Sequence, residues 1–564
     1  MFPPHHFASS LPSVLSSRFP WIRLAIGLAV FCCAAQTDAQ TVSFTSSNLP
    51  IVILDTEGQS IPDEPKITAQ MQIIDNGPGT RNVITDTPTG YDGFIGIEVR
   101  GSTSQAFPKK QYGVETRDEA GDNLNVSLLG MPEENDWILY APYSDKSLMR
   151  NVLAYELANR MGRYASRTRF CEVVLNGDYQ GVYVLMESIK RDSERVDINN
   201  LKDDEISGDD LTGGYLIRID RRDGSPGEGW ESAFPPAHAS NASINYQYRE
   251  PDAEDIVPEQ VAYIQSFIED FETTMDSETF DDPVTGYPSI VDLGSFVDFF
   301  LVNEIAKNVD GYRLSTYLHK DKDSNDPLLH AGPVWDFNIA FGNANYNFGD
   351  EPEGLHVTLE DSGDYPIAFW WNKMAQSDPF QDALALRWAE LREGVLHPDS
   401  LTDWVDDTAT LLDEAQARNF ERWPVLGEFV WPNVDGFETR TTYASEVAQL
   451  KQWLQDRGEA LNAVFPVDAA EAPQTTSSLR VSTLGPNPAR GTSRISVALA
   501  SPQSVTLDVF DLRGRHVARL HDGMLPIGAT SFTLDTHSLS AGLYLIRAVG
   551  EQSAATERLM VMGR

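Results

Sequence analysis

Apolar residues recur at helical spacing in several stretches of the chain. Leu148, Val152, Tyr155 and Met161 fall on one side of a predicted helix over 147–161, which Gly162 closes. Val257, Val261, Ile264, Ile268 and Phe271 mark a second helix over 256–273. Asp292 is placed to cap a third carrying Phe296, Phe300 and Ile305, and further helices are predicted over 407–419 and 444–465. Between them the pattern shortens to strands. Ile95–Val99 and Gln111–Thr116 read as a hairpin joined through Arg100–Gln105. Phe170–Leu175 and Val182–Met186 read as another around Asn176-Gly177, a strong turn dipeptide. Tyr312–His319 and Leu328–Val334 read as a two-stranded ribbon around the polar turn 320–326. Helices and strands interleave without an internal repeat, so residues 41–465 are expected to be α+β.

The two ends of the chain follow other rules. Arg18 and Arg23 precede an apolar run, Leu24 to Ala35, that is about half of what a membrane span requires. With the small residues up to Ala39 it reads as a secretory signal peptide over 1–40. No later stretch is long and apolar enough to cross a bilayer. A Pro/Ala/Ser/Thr-rich stretch, 466–479, reads as a linker. After it, 480–564 alternates apolar and polar residues in short runs (Ser493–Leu499, Ser504–Phe510, His516–Leu520, Leu543–Ala548, Arg558–Met562), the pattern of a small all-β sandwich.

Charge sharpens the division. The chain carries a formal −41; residues 41–479 hold −45 and the tail +3. So acidic a surface repels phosphate backbones, and no nucleic-acid partner is expected. Outside the signal only Cys171 remains, within a strand-like run. That leaves no internal disulfide and no cysteine-based zinc site, and Cys171 is expected to be a buried small hydrophobe.

Candidate chemistry lies between 292 and 343. A buried helix is followed by Asn308-Val309-Asp310-Gly311, then the β-ribbon, then Trp335-Asp336-Phe337-Asn338. Asp310 and Asp336 are 26 residues apart, yet one precedes the ribbon's first strand and the other follows its second, so both are expected at one end. Paired carboxylates there suit phosphoryl transfer, one taking the proton of an attacking hydroxyl and the other holding Mg²⁺. The order helix, loop Asp, two strands, Asp is that of a protein-kinase catalytic segment, although HRD, DFG and VAIK are absent. The Arg100–Gln105 turn, with Ser102 and Ser104, is placed to cover phosphates. Lys190 ends a predicted strand within reach of them, and Arg150 is expected to pair with Glu187, with a phosphate or in a structural ion pair; with Ser102 and Ser104, these three are the candidate nucleotide-binding residues. Trp335, Trp370 and Trp371 read as core. The segment 321–326 (DKDSND) lacks the Gly and Glu of a calcium loop and reads as a polar turn. HExxH and GxSxG are absent, which removes zincin and α/β-hydrolase chemistry.

Two blocks resemble known families. Pro486-Asn487-Pro488, Val509-Phe510-Asp511 with Gly514, Leu539-Ser540-Ala541-Gly542-Leu543-Tyr544 and the terminal strand resemble the C-terminal sorting domain of type IX secretion. That resemblance implies the type IX machinery as a partner, export across the outer membrane and removal of the tail. Residues 90–345 resemble the spore-coat protein H (CotH) kinase-like family. The resemblance is carried by Arg100-Gly101-Ser102-Thr103-Ser104, Leu129-Gly130-Met131-Pro132, Asn135-Asp136-Trp137, Met149-Arg150-Asn151, Glu187 with Ile189-Lys190-Arg191, Asn308 with Asp310, and Trp335-Asp336-Phe337. It implies an atypical kinase-like core binding ATP and Mg²⁺ (or Mn²⁺) and transferring the γ-phosphoryl group to Ser or Thr of an exported protein. Asp310 matches the catalytic-loop Asp and Asp336 the metal-binding Asp. Kinase-type loops place an Asn five residues after the catalytic Asp; here it is Ser315, and Asn338 stands as the replacement ligand or a single metal suffices. The alternative is a catalytically silent kinase-like scaffold that binds or adheres at the cell surface.

Overall fold

The computed structural model describes residues 40–222, 227–239, 242–360 and 365–465, and in the C-terminal part 479–485, 489, 491–499, 502–511, 516–526, 528–537, 539, 542–550 and 554–561. Nearly all of the predicted signal peptide and of the predicted linker, with Pro486-Asn487-Pro488 and Gly514, lie outside them. The chain divides into two compact units between 467 and 468.

In the first unit, seven strands close into a barrel: β1 (Ile51–Asp55), β2 (Ile67–Ile74), β3 (Tyr91–Val99), β4 (Tyr112–Arg117), β5 (Asp136–Tyr140), β6 (Thr168–Leu175) and β7 (Asp178–Glu187). Their order is β1-β2-β3-β4-β5-β7-β6, and β6 returns to β1 in parallel, Ile51 opposite Glu172. Val52, Leu54, Ile95, Ile97, Trp137, Leu139, Val173, Tyr183 and Leu185 alternate along their strands and fill the interior. Cys171 is buried among them, and burial pushes its thiol up to about 12, so it packs as a hydrophobe. The opposite-facing Ile138, Tyr140, Val182, Val184 and Met186 are also buried, under α1 (Arg150–Arg160) and the helical core. This wall is covered on both faces, which is why β7 reads as a continuous apolar run. At its bulge Gly181 has φ +100°, and a Cβ there would meet the Asn419 side chain at 2.5 Å.

Beside the barrel lies a five-stranded sheet of β8 (Tyr215–Ile219), β9 (Gly229–Glu231), β10 (Asn245–Glu250), β11 (Thr316–Lys320) and β12 (Leu329–Ala331), ordered β9-β10-β8-β11-β12. Helices α2 (Pro258–Asp276), α3 (Leu293–Ala306), α4 (Phe369–Ala375), α5 (Asp378–Arg392), α6 (Pro398–Leu411), α7 (Asp413–Arg422) and α8 (Tyr443–Val464) complete the unit. Asp292 caps α3 as expected, accepting from Ser295 N at 2.7 Å. Trp370 and Trp371 are core, stacked around Phe296 and Phe299. In the 321–326 turn Asp321 accepts from Asn199 and Asp323 pairs with Lys320.

The structure is α+β, and its departures from the sequence reading have physical causes. Barrel closure depends on strands 51–55 and 67–74, and on the parallel pairing of 51–54 with 172–175, which no turn between neighbours specifies. The ribbon's first strand starts at Thr316 rather than Tyr312, because Tyr312 (φ +69°) and Ser315 (φ +49°) are left-handed. Tyr312 is turned under α3, where its hydroxyl donates to Glu304 at 2.9 Å. The helix expected over 407–419 is two: α6 begins earlier, with Pro398 in its first turn, and ends at Leu411.

The second unit is all-β. One sheet orders β13 (Leu479–Gly485), β14 (Thr492–Leu499) and β17 (Gly528–Asp535); the other orders β16 (His516–Leu525), β15 (Gln503–Asp511), β18 (Gly542–Val549) and β19 (Ala554–Val561). Ile495, Val497, Val505, Leu507, Val509, Ile546 and Leu559 form a core of its own.

Candidate active site

The two ends of the β11–β12 ribbon are held by α1 and α3. Helix α3 ends at Lys307 in the left-handed region, and the chain turns through Asn308 to Ser315. After β12, Asp336 itself adopts φ +64°, a conformation that costs a non-glycine residue about 1–3 kcal/mol. Its neighbours hold it there. Asp336 N donates to the Tyr155 hydroxyl at 3.2 Å, Phe337 N donates to Asn151 Oδ1 at 2.6 Å, and Asn308 Nδ2 donates to Asp336 O at 3.3 Å. Asn151 and Tyr155 are four apart on α1, hence on one face. Tyr155 also stacks on Trp335 at 5.8 Å.

Asp310 and Asp336 line one cavity of about 770 Å³. Ser102, Ser104, Asn338 and Ser315 line it too, as do Arg100, Asp220 and Arg221. Ser102 and Ser104 come from the β3–β4 connection, which makes a short 3₁₀ turn over Thr103–Ala106. Gly101 has φ +104° there, and a Cβ would strike Ser104 Oγ, so the turn requires glycine. Gln111 Nε2 donates to Ser104 Oγ at 2.5 Å and fixes it.

The carboxylates are desolvated and repel one another. Burial first, then the charges of Asp310 and Asp220, push Asp336 up to about 7, while Arg100 and Arg221 act in the opposite sense. Burial raises Asp310 as well, opposed by Arg313 and Arg221. Arg313 donates to Asp310 at 3.1 Å, to Val309 O at 2.9 Å and to Tyr365 O at 3.0 Å, which ties the Asp310 loop down. A site of this kind gains from a proton or a cation. Among the described residues, no group of three or more His, Cys, Asp or Glu is arranged to hold a metal ion by itself.

Three of the residues expected to touch a nucleotide are not among those lining the cavity. Arg150 is fully buried in an ion pair with Asp145 at 2.5 Å and also donates to Gln449 at 2.8 Å. Glu187 is enclosed by Arg167 at 2.8 Å and Arg195 at 3.2 Å, so it does not partner Arg150. Lys190 pairs with Asp136 at 2.8 Å and Glu134 at 3.2 Å. Their charges are met by partners within the fold, which places them in its framework. Trp335, read as core, is half-buried and lines the cavity. Sequence reasoning missed Asp220 and Arg221, whose signal was a charged pair directly after a strand, and the Asn151/Tyr155 clamp, whose signal was the spacing of four.

Residues 97–461 match the family model described as CotH kinase protein. The chain belongs to the CotH family. Residues 483–562 match the secretion system C-terminal sorting domain, which makes the protein a secreted or outer-cell-surface CotH protein. No helix among the described residues is long and apolar enough to cross a membrane. The inner spore coat protein H of Bacillus subtilis is 33% identical over 95 residues, 17% of this chain and 24% of that relative, so the match spans about a quarter of the relative's length. Among solved structures, dimeric latent PorU from Porphyromonas gingivalis aligns at 18% identity over 15% of this chain and 9% of its own, with TM-score 0.13. The endo-beta-1,4-mannanase of Thermotoga petrophila aligns at 12% identity over 21% of this chain and 24% of its own, with TM-score 0.12. Overlaps so small carry no argument about this CotH fold.

Proposed function

We propose that this CotH protein is an exported phosphotransferase with an atypical kinase-like core, transferring the γ-phosphoryl group of ATP to a Ser or Thr hydroxyl of an exported protein. The observation that carries this reading is the Asp310–Asp336 pair, half-buried and lining one cavity beside the Ser102/Ser104 turn. Asp310, whose carboxyl is raised above its ordinary range by burial against the pull of Arg313 and Arg221, takes the proton of the acceptor hydroxyl as its oxygen bonds to phosphorus and ADP leaves. Asp336 and Asn338 are the oxygen donors for a divalent cation. The donor set fits Mg²⁺ or Mn²⁺, which take one or two carboxylates and complete their shell with water and phosphate oxygens. That cation neutralises charge on the phosphates. The Ser102/Ser104 turn supplies hydroxyl and backbone N–H groups to the phosphates from the barrel side.

The test is incubation of the mature chain with γ-labelled ATP and Mg²⁺ or Mn²⁺. Label on Ser or Thr, lost in Asp310→Asn and Asp336→Ala, is the expected result. Absence of labelling, together with absence of an ATP-dependent thermal shift, overturns it. One observation favours a second reading, a silent surface-binding scaffold: Ser315, at the position of the kinase-type second metal ligand, is left-handed and lines the cavity without a carboxamide. Binding to a cell-surface protein or glycan that ignores nucleotide distinguishes the two.

A further inference from the structure

Five arginines line the cavity: Arg100, Arg218, Arg221, Arg222 and Arg313. Three are engaged by the protein. Arg218 donates to Gln247 at 2.6 Å and lies 3.5 Å from Asp220; Arg222 pairs with Glu231 at 3.0 Å; Arg313 holds Asp310. Arg100 and Arg221 differ. Among the described residues, neither guanidinium forms an ion pair or donates a side-chain hydrogen bond. Each instead lies over an aromatic ring, Arg100 over Trp335 at 5.9 Å and Arg221 over Tyr365 at 5.3 Å. The chain has 84 acidic residues against 43 basic ones, so carboxylates are abundant. Two guanidiniums left without one among the described residues, in the cavity that holds the half-buried aspartates, are groups suited to an anion.

We infer that Arg100 and Arg221 are the two jaws of a clamp for a polyphosphate anion, seated between the barrel-side turn and the end of β8. The inference rests on the phosphotransferase reading and adds to it the residues that grip the donor. Their places in the fold separate the roles. Arg100 opens the Ser102/Ser104 turn on the barrel side of the cavity, so it is assigned to the phosphates that stay with the nucleotide. Arg221 follows β8 and lines the cavity with Asp310 and Arg313, so it is assigned to the phosphoryl group that moves. The aromatic rings hold both planar groups in place, so little is lost in ordering them when the anion arrives.

Titration calorimetry of the full chain with inorganic tripolyphosphate, ATP and adenosine, each in excess Mg²⁺, tests this. Tripolyphosphate and ATP are expected to bind. Arg100→Gln and Arg221→Gln are each expected to weaken both at least tenfold, with adenosine affinity unmoved. Since, among the described residues, neither guanidinium donates to a protein acceptor, both variants are expected to fold with only the small loss in unfolding temperature that a missing ring contact brings, and Arg221→Lys, which keeps the charge and loses the fork, is expected to bind with intermediate affinity. Arg221→Gln is expected to slow single-turnover transfer more than Arg100→Gln does. Tripolyphosphate binding that is absent, or equal in wild type and both Gln variants, overturns the clamp. Arginine-dependent tripolyphosphate binding without phosphoryl transfer to any acceptor keeps the clamp and overturns the phosphotransferase.

Discussion

The backbone N–H of Asp336 donates to the hydroxyl of Tyr155, 181 residues earlier in the chain. Through this bond and the neighbouring one from Phe337 to Asn151, α1 holds a left-handed aspartate against one end of the cavity. The barrel-side helix and the ribbon that carries both aspartates are thereby one mechanical unit.

Tyr155→Phe keeps the stack on Trp335 and removes the acceptor for the Asp336 amide. The fold is expected to lose about 1–3 kcal/mol, the cost of a buried donor left unmet. Chemical denaturation measures that loss. Labelling by ATP is expected to fall in the same variant, because the carboxylate's backbone is freed.

Asp310→Asn and Asp336→Ala are expected to separate chemistry from binding. Asp310→Asn removes the proton acceptor and is expected to lower transfer about 10²–10⁴-fold while nucleotide still binds. Asp336→Ala is expected to abolish metal-dependent nucleotide binding with the fold intact. Single-turnover labelling and calorimetry on each variant check the split.

Arg457 and Glu304 are both fully buried and paired at 2.9 Å, joining α8 to α3. Arg457 also donates to the carbonyls of Pro352 and Gly354, and Glu304 accepts from the amides of His356 and Val357. Arg457→Met strands the Glu304 carboxylate and is expected to destabilise the first unit by about 3–5 kcal/mol. Denaturant unfolding of the variant gives the number.

Glu272 is buried beneath β10, accepting from Ser232 at 2.7 Å and Tyr246 at 2.8 Å, and burial pushes it up to about 7. Its folded value lies above its unfolded one, near 4.3. Between those values the folded state holds the proton more tightly. The contribution of Glu272 to stability is therefore largest below about pH 4 and declines as pH rises to about 7. Glu272→Gln is expected to flatten that part of the stability profile, read as the difference between the two proteins' unfolding curves from pH 4 to 8.

Several features of the cavity were legible in the chain. A capped helix, a loop aspartate, two short strands and a second aspartate form a local order, and local order brings Asp310 and Asp336 to one end without knowledge of distant residues. The Arg100–Gln105 turn was legible for the same reason, since a hairpin fixes its own tip. Arg150, Glu187 and Lys190 were not, because long charged side chains take the nearest opposite charge in space: Asp145 and Arg195 are neighbours in sequence that only the folded chain shows to be the partners, and Asp136 reaches Lys190 from β5.

The amino-acid pattern alone determined the α+β class, the all-β tail, the buried Cys171 and the CotH and sorting-domain kinships, because periodicity and short motifs are properties of neighbours along the chain. The tertiary structure decided that the first sheet closes into a barrel through the parallel β1–β6 pairing. It also decided which arginines are engaged by the fold and which two line the cavity without an ion pair among the described residues. Barrel closure, and the rings that Arg100 and Arg221 lie over, depend on contacts between residues more than a hundred positions apart, and no local preference encodes those.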